Sequence, residues 1–170
     1  MNNKVKTMCI LSMFLCVLII LAQIKIDIGY VPITLQTLGV YIIALVLQPK
    51  YSFYVTLAYI LTGAIGLPVF SGMTGGIGAL LSYNGGYIFS FPIMAYFISL
   101  AGYQKGIVQK VLACIIGTVI CYAIGTAWFM HVMKMDLMAS LMLCVIPFLL
   151  TDSLKIIISV ILSQKIKLPE

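Results

Sequence analysis

Polar positions in this chain come in short interruptions between long apolar runs, and that spacing sets the architecture. The apolar stretches cover about 7–24, 33–48, 51–67, 86–102, 107–130 and 137–164. A helix needs about 20 apolar residues to cross a bilayer, or about 17 at the short end. Hydrocarbon offers backbone groups no partners, so each run must close its hydrogen bonds within itself, as a helix does. The interruptions at 27–32, 48–50, 66–86, 102–106 and 134–136 are rich in Gly, Pro, Lys and Asp. The pattern predicts an all-α, polytopic integral membrane protein with six transmembrane helices, forming a single domain over residues 1–170.

Two segments carry finer detail. Residues 137–164 are too many for one straight crossing, and Pro147 suits a first helical turn, where its missing N–H costs nothing. A short outer piece ending near Ile146 and a helix over 148–164 are therefore expected. In the fifth run, Ala113, Gly117, Cys121 and Gly125 recur at every fourth position. Such a stripe of small residues lets another helix approach closely, and its expected role is packing.

Composition agrees with the pattern. Charged residues are 8% of the chain, against about a quarter in soluble domains, and the shortage extends along its whole length. The net charge of +6 does not point to nucleic acid. All ten basic residues are lysines scattered between apolar runs, whereas a nucleic-acid surface gathers its cations on one face. The lysines instead report orientation. Under six crossings, Lys4, Lys6, Lys50, Lys105, Lys110, Lys165 and Lys167 share one side, while Lys25 and Lys134 lie on the other, each near an Asp. The positive-inside rule then places the N- and C-termini in the cytoplasm. The run after Lys4 and Lys6 is too long for the core of a signal peptide and lacks an A-x-A site, so it reads as the first transmembrane helix.

Candidate chemistry is sparse. Cys9, Cys16, Cys114, Cys121 and Cys144 lie inside apolar runs without a CxxC or metal-like spacing. His131 is the lone histidine and falls near an outer membrane edge. No serine has a defensible general base and no nucleotide motif is present, so no catalytic activity and no cofactor or metal are expected. What stands out is PFLLTDSLKIII at 147–158, with Asp152 and Lys155 three apart in an apolar run. Each charge costs about 2.5–3.5 kcal/mol near the bilayer centre, so such groups face an interior or a water-filled space. Two readings remain open: a self-neutralising pair, or a polar ligand site in which Lys receives a carboxylate and Asp accepts N–H donors.

The outer segment 66–87 holds seven of the fourteen glycines, with Asn84 near its end. Its backbone is free to turn tightly and to approach a ligand closely. Thr34, Gln36 and Thr37 add neutral hydrogen-bonding groups at a helix start, and Tyr41 and Tyr87 are placed to wall a pocket for a flat apolar body. These features suit capture of a small solute near the outer face. Nothing in the chain energises transport.

Three stretches together, AQIKIDIGYVPITLQTLGVYIIALVLQPK, GAIGLPVFSGMTGGIGALLSYNGGYIFSFP and PFLLTDSLK, resemble the biotin-specific substrate-binding (S) component of energy-coupling-factor (ECF) vitamin transporters. The resemblance extends over nearly the whole chain in order. It implies a six-helix protein of a prokaryotic cell membrane that captures biotin beneath its outer loops. It also implies partners: a transmembrane coupling subunit and two cytoplasmic ATPase subunits. On this resemblance Asn84 and Asp152 would meet the ureido ring and Lys155 the valerate carboxylate. Thr34, Gln36, Tyr41, Gly75, Gly86 and Tyr87 belong to matching segments as further pocket residues. The A-x-x-x-A of many relatives, which meets the coupling subunit, corresponds here to Ser12 and Cys16, both still small. The alternatives are an S component for another vitamin and a structural membrane subunit without a small-molecule ligand.

Overall fold

A computed structural model describes residues 3–26 and 31–166 of the chain. Asp27 and Lys167, which entered the loop and orientation arguments, lie outside the described residues. In chain order the elements are α1 (Asn3–Gln23), β1 (Lys25–Ile26), β2 (Ile33–Thr34), α2 (Gln36–Val46), α3 (Pro49–Ala64), α4 (Ile77–Leu81), α5 (Gly85–Gly102), α6 (Ile107–Met133), α7 (Leu137–Cys144) and α8 (Ile146–Lys165). All six apolar runs are helical. Among the described residues four helices, α1, α5, α6 and α8, are long and apolar enough to cross a membrane; α2 has 11 residues and α3 has 16. The all-α expectation needs one small amendment. Lys25 pairs with Thr34 and Ile26 with Ile33 in a two-residue antiparallel ribbon, which takes the residues that periodicity had assigned to the start of the second run.

The helix that is apolar all round is the one at the centre, as burial on every side requires. From Leu38 to Val46 each residue of α2 is buried; α2 packs against α1, α3, α5 and α8. Pro49 opens α3, where its fixed φ suits the first turn. The longest interface joins α5 to α6, and the small-residue stripe makes it. A Cβ on Gly117 would overlap Ile98, and one on Gly125 would overlap the Tyr87 ring. Ser90 Oγ donates to Cys121 Sγ at 3.1 Å within the same seam.

The sixth run breaks where Pro147 predicted. α7 ends at Cys144, Val145 departs from helical geometry (φ −122°, ψ −56°), and α8 starts at Ile146 with the proline in its first turn. Asp136 caps α7 by accepting from the Ala139 N–H at 3.4 Å. This break sets the depth of the charged pair, because Asp152 follows six residues into α8, about 9 Å along its axis at 1.5 Å per residue.

Candidate functional site

The charged pair is intact and buried. Lys155 Nζ lies 2.7 Å from Asp152 Oδ1, and both side chains are 6% exposed. Two further residues complete the cluster: Thr37, expected only as a polar group at a helix start, and Tyr122, which the sequence did not single out. Thr37, in the first turn of α2, accepts from Lys155 Nζ at 3.0 Å and donates to Asp152 Oδ1 at 3.3 Å. Tyr122, on α6, donates its hydroxyl to Asp152 Oδ2 at 2.6 Å. Three helices thus meet at one carboxylate.

An ammonium has three donors, and Lys155 uses two of them on Asp152 and Thr37. The third has no partner among the described side chains. The Asp152 carboxylate accepts three bonds of about four available. Burying two ions costs several kcal/mol each after relaxation, and a pair replaced by apolar residues often leaves stability unchanged. Stability alone is therefore a weak reason for this arrangement. Spare hydrogen-bonding capacity at both ions is the more informative feature.

The pair faces a cavity of about 460 Å³, within the size range of small-molecule sites, about 300–1,000 Å³. On one side it is walled by Lys25, Val31, Pro32, Thr34, Gln36 and Thr37, from the ribbon and the start of α2. Phe70, Ser71, Thr74 and Ala79, then Ser82, Tyr83 and Asn84, form the opposite wall. Tyr87, Ile88 and Phe91 of α5, Cys121 and Tyr122 of α6, and Cys144 and Phe148 beside the α7–α8 break close the rest. Aromatic and aliphatic surface therefore surrounds a few polar groups, the usual make-up of a ligand site.

Two of those polar groups have no partner. Asn84 Oδ1 and Ser71 Oγ are buried without a hydrogen bond. Asn84 stands at the N-cap of α5 and makes no side-chain cap bond, although asparagine is among the best cap residues. Its oxygen, on a residue that lines the cavity, makes no hydrogen bond. A buried unpaired acceptor costs about 1–3 kcal/mol, so a donor supplied by a ligand would recover that cost.

The corner that carries Asn84 is built tightly. Trp128 Nε1 donates to Ser82 O at 2.9 Å. A Cβ on Gly85 would overlap the Leu80 carbonyl, and one on Gly86 would overlap Trp128. Gly86 therefore serves the close passage of α5 past the indole and does not line the cavity. Gly75 is comparable: a side chain there would strike the Leu67 carbonyl. Tyr41 lies one turn below Thr37, fully buried, with its hydroxyl 2.6 Å from Thr118 Oγ1. It supports the cavity floor from beneath. Thus Asn84, Asp152, Lys155, Thr34, Gln36 and Tyr87 are brought together, whereas Tyr41, Gly75 and Gly86 stand behind the lining. Ser12 and Cys16 are one turn apart on the exposed face of α1, away from the cavity.

Of the lining residues absent from the sequence reading, Tyr122 offered one signal, a phenol in mid-helix on a run otherwise short of polar groups. Ser71, Tyr83 and Phe148 gave none, since only tertiary packing brings them here.

A model of the BioY family matches residues 1–169. The chain is 35% identical over 164 residues to a Pyrococcus horikoshii protein named probable biotin transporter BioY, covering 96% of this chain and 98% of that one. It is 33% identical over 159 residues to the Lactococcus lactis biotin transporter BioY2, covering 92% and 87%. A crystal structure of the S-component for biotin from an ECF-type ABC transporter superposes with a TM-score of 0.88 at 27% identity, covering 97% of this chain and 93% of that one.

Proposed function

The chain belongs to the BioY family, and we propose on that premise that it is the biotin-capturing S component of an ECF-type transporter, holding biotin in the cavity between residues 70–84 and the Asp152–Lys155 pair. It is a transporter subunit and not an enzyme. The observation that carries the site is the set of unused hydrogen-bonding positions around one apolar cavity. Biotin is complementary to that set. Its valerate carboxylate meets the spare Lys155 donor and its ureido N–H groups meet Asn84 Oδ1; Asp152, 2.7 Å from Lys155 Nζ, stands at the Lys155 end and holds that ammonium in place. Tyr83, Tyr87, Phe91 and Phe148 supply apolar surface for the fused rings. Thr34 and Gln36, at the ribbon and α2, complete the polar edge.

The proposal extends to assembly and orientation. Ser12 and Cys16 leave a flat strip on α1 where a coupling transmembrane subunit can approach closely, and two cytoplasmic ATPase subunits would supply the energy. Lys4, Lys6, Lys50, Lys105, Lys110 and Lys165 outweigh Lys25 and Lys134. That balance supports six crossings of a prokaryotic cell membrane with both termini in the cytoplasm. Thiol labelling of cysteines introduced at positions 50 and 73 tests the orientation, which predicts opposite accessibility for the two.

The binding test uses the purified full chain and radiolabelled biotin, with other vitamins as competitors. Saturable binding displaced by unlabelled biotin alone is expected. Displacement by a different vitamin would reassign the ligand, and no binding of any of them would leave a structural subunit as the reading.

A further inference from the structure

One wall of the cavity, residues 69–74, is a turn closed on itself by a single bridge, the Phe70 N–H donating to Thr74 O at 3.0 Å, and it is held to the rest of the fold at defined points. Gln23, the last residue of α1, is responsible for two of them. Its Nε2 donates to Val69 O at 3.2 Å, and its Oε1 accepts from the Met73 N–H at 2.9 Å. Those two backbone groups bracket Phe70 and Ser71, which line the cavity. Val69 O also accepts from the Tyr59 hydroxyl at 2.9 Å, and that hydroxyl accepts from Gln36 Nε2 at 2.7 Å. Phe70 sits edge-on to Tyr59, with ring centroids 5.4 Å apart, in a notch that exists because residue 63 is glycine.

Resting on the capture reading above, we infer that Gln23 is a positioning residue for biotin capture, a latch that keeps the 69–73 wall closed against the cavity. Gln23 does not itself line the cavity, so it acts through the wall. Three features carry this role. Its amide bonds both ends of the Val69–Met73 turn. Met73 adopts a left-handed backbone (φ 58°), which non-glycine residues hold only when their surroundings fix it. The hydroxyl of Ser71, unpartnered and buried, is aimed by this turn, so the latch places a ligand-facing group as well as a barrier. Gln36 belongs to the same device, since through Tyr59 it braces the carbonyl that Gln23 holds.

Loosening the latch should speed passage in both directions. A net hydrogen bond shifts an equilibrium by about twofold to tenfold, and Gln23→Ala removes two from the wall. For purified full-length Gln23→Ala, biotin association and dissociation rates are both expected to rise by about tenfold, with a smaller change in Kd. The Gln23→Glu variant keeps the acceptor for Met73 and loses the donor to Val69, so its rates should fall between the two. Backbone amide exchange over 69–76, measured on the same samples without biotin, should quicken in Gln23→Ala and not over α5 or α6. Wild-type rates and unchanged exchange would overturn the latch. Faster dissociation with an unchanged association rate would overturn it too, because that marks a lost ligand contact. If the wild-type chain binds no biotin, the capture reading fails instead, and amide exchange still decides whether Gln23 holds the wall.

Discussion

Asp152 and Lys155 permit a test that separates a structural pair from a ligand site, because stability and binding should respond with different signs. Removing one partner of a buried pair leaves an uncompensated charge and costs about 3–5 kcal/mol. Asp152→Leu and Lys155→Met should each lose that much, given that both side chains are 6% exposed. The double variant has no stranded ion. What remains is the Tyr122 and Thr37 hydroxyls without their acceptor, about 1–3 kcal/mol each, so the double variant should be more stable than Asp152→Leu, which strands the Lys155 ammonium as well. Biotin binding should not recover with it. A charge-assisted bond contributes about 1.5–3 kcal/mol, so losing the Lys155 contact alone weakens binding by about tenfold to a hundredfold, and losing both ions weakens it further. Unfolding of detergent-solubilised protein and calorimetric titration with biotin provide the two readouts. A double variant that binds like wild type refutes the ligand site, and stability losses that simply add refute the coupling of the pair.

Other consequences are local. Tyr122→Phe deletes the 2.6 Å bond to Asp152 without changing shape and should weaken biotin about tenfold, measured by the same titration. Gly63→Ala places a methyl group where the Phe70 ring lies. It should cost about 1–3 kcal/mol and lower affinity by driving the ring toward the cavity, both read from unfolding and binding of one preparation. Trp128, the sole tryptophan, donates to Ser82 on the cavity wall, so biotin should change the intrinsic fluorescence, and an unchanged spectrum at saturation would contradict the placement of that corner. Concentrative uptake should require the coupling module, and accumulation in cells lacking any such module would contradict the division of labour.

The helices were legible because hydrocarbon leaves the backbone no alternative, and apolar runs bounded by Gly, Pro and Lys report that directly. Pro147 located the α7–α8 break to within two residues, since a proline is free of penalty only in a first turn. The stripe from Ala113 to Gly125 announced a close helix contact, and periodicity could not say with which helix; the answer, α5, is a matter of tertiary packing. Asp152 and Lys155 were visible because charge in an apolar run is costly. Thr37, one residue beyond Gln36, was seen as a polar group at a helix start, and its bonds to both ions were not. Tyr41 and Gly86 share segments with lining residues and yet stand behind them. A helix turns by 100° per residue, so membership of a segment does not decide which side chain reaches the cavity.

A single physical constraint explains why the polar groups concentrate as they do. In lipid, a polar side chain is tolerated where protein or a water-filled space receives it. The cluster at Thr37, Tyr122, Asp152 and Lys155 draws on α2, α6 and α8, so none of these helices could satisfy it alone. The opposing wall contributes Asn84 and Ser71 with acceptors left open. A purely structural network would be expected to close its own bonds, because every unfilled position in a low-dielectric interior costs free energy. Here the filled positions lie between helices and the unfilled ones face the cavity. That division argues for an occupant with donors at one end and a carboxylate at the other. It also argues that the surrounding bonds, including those of Gln23 and Tyr59, fix the positions of those polar groups.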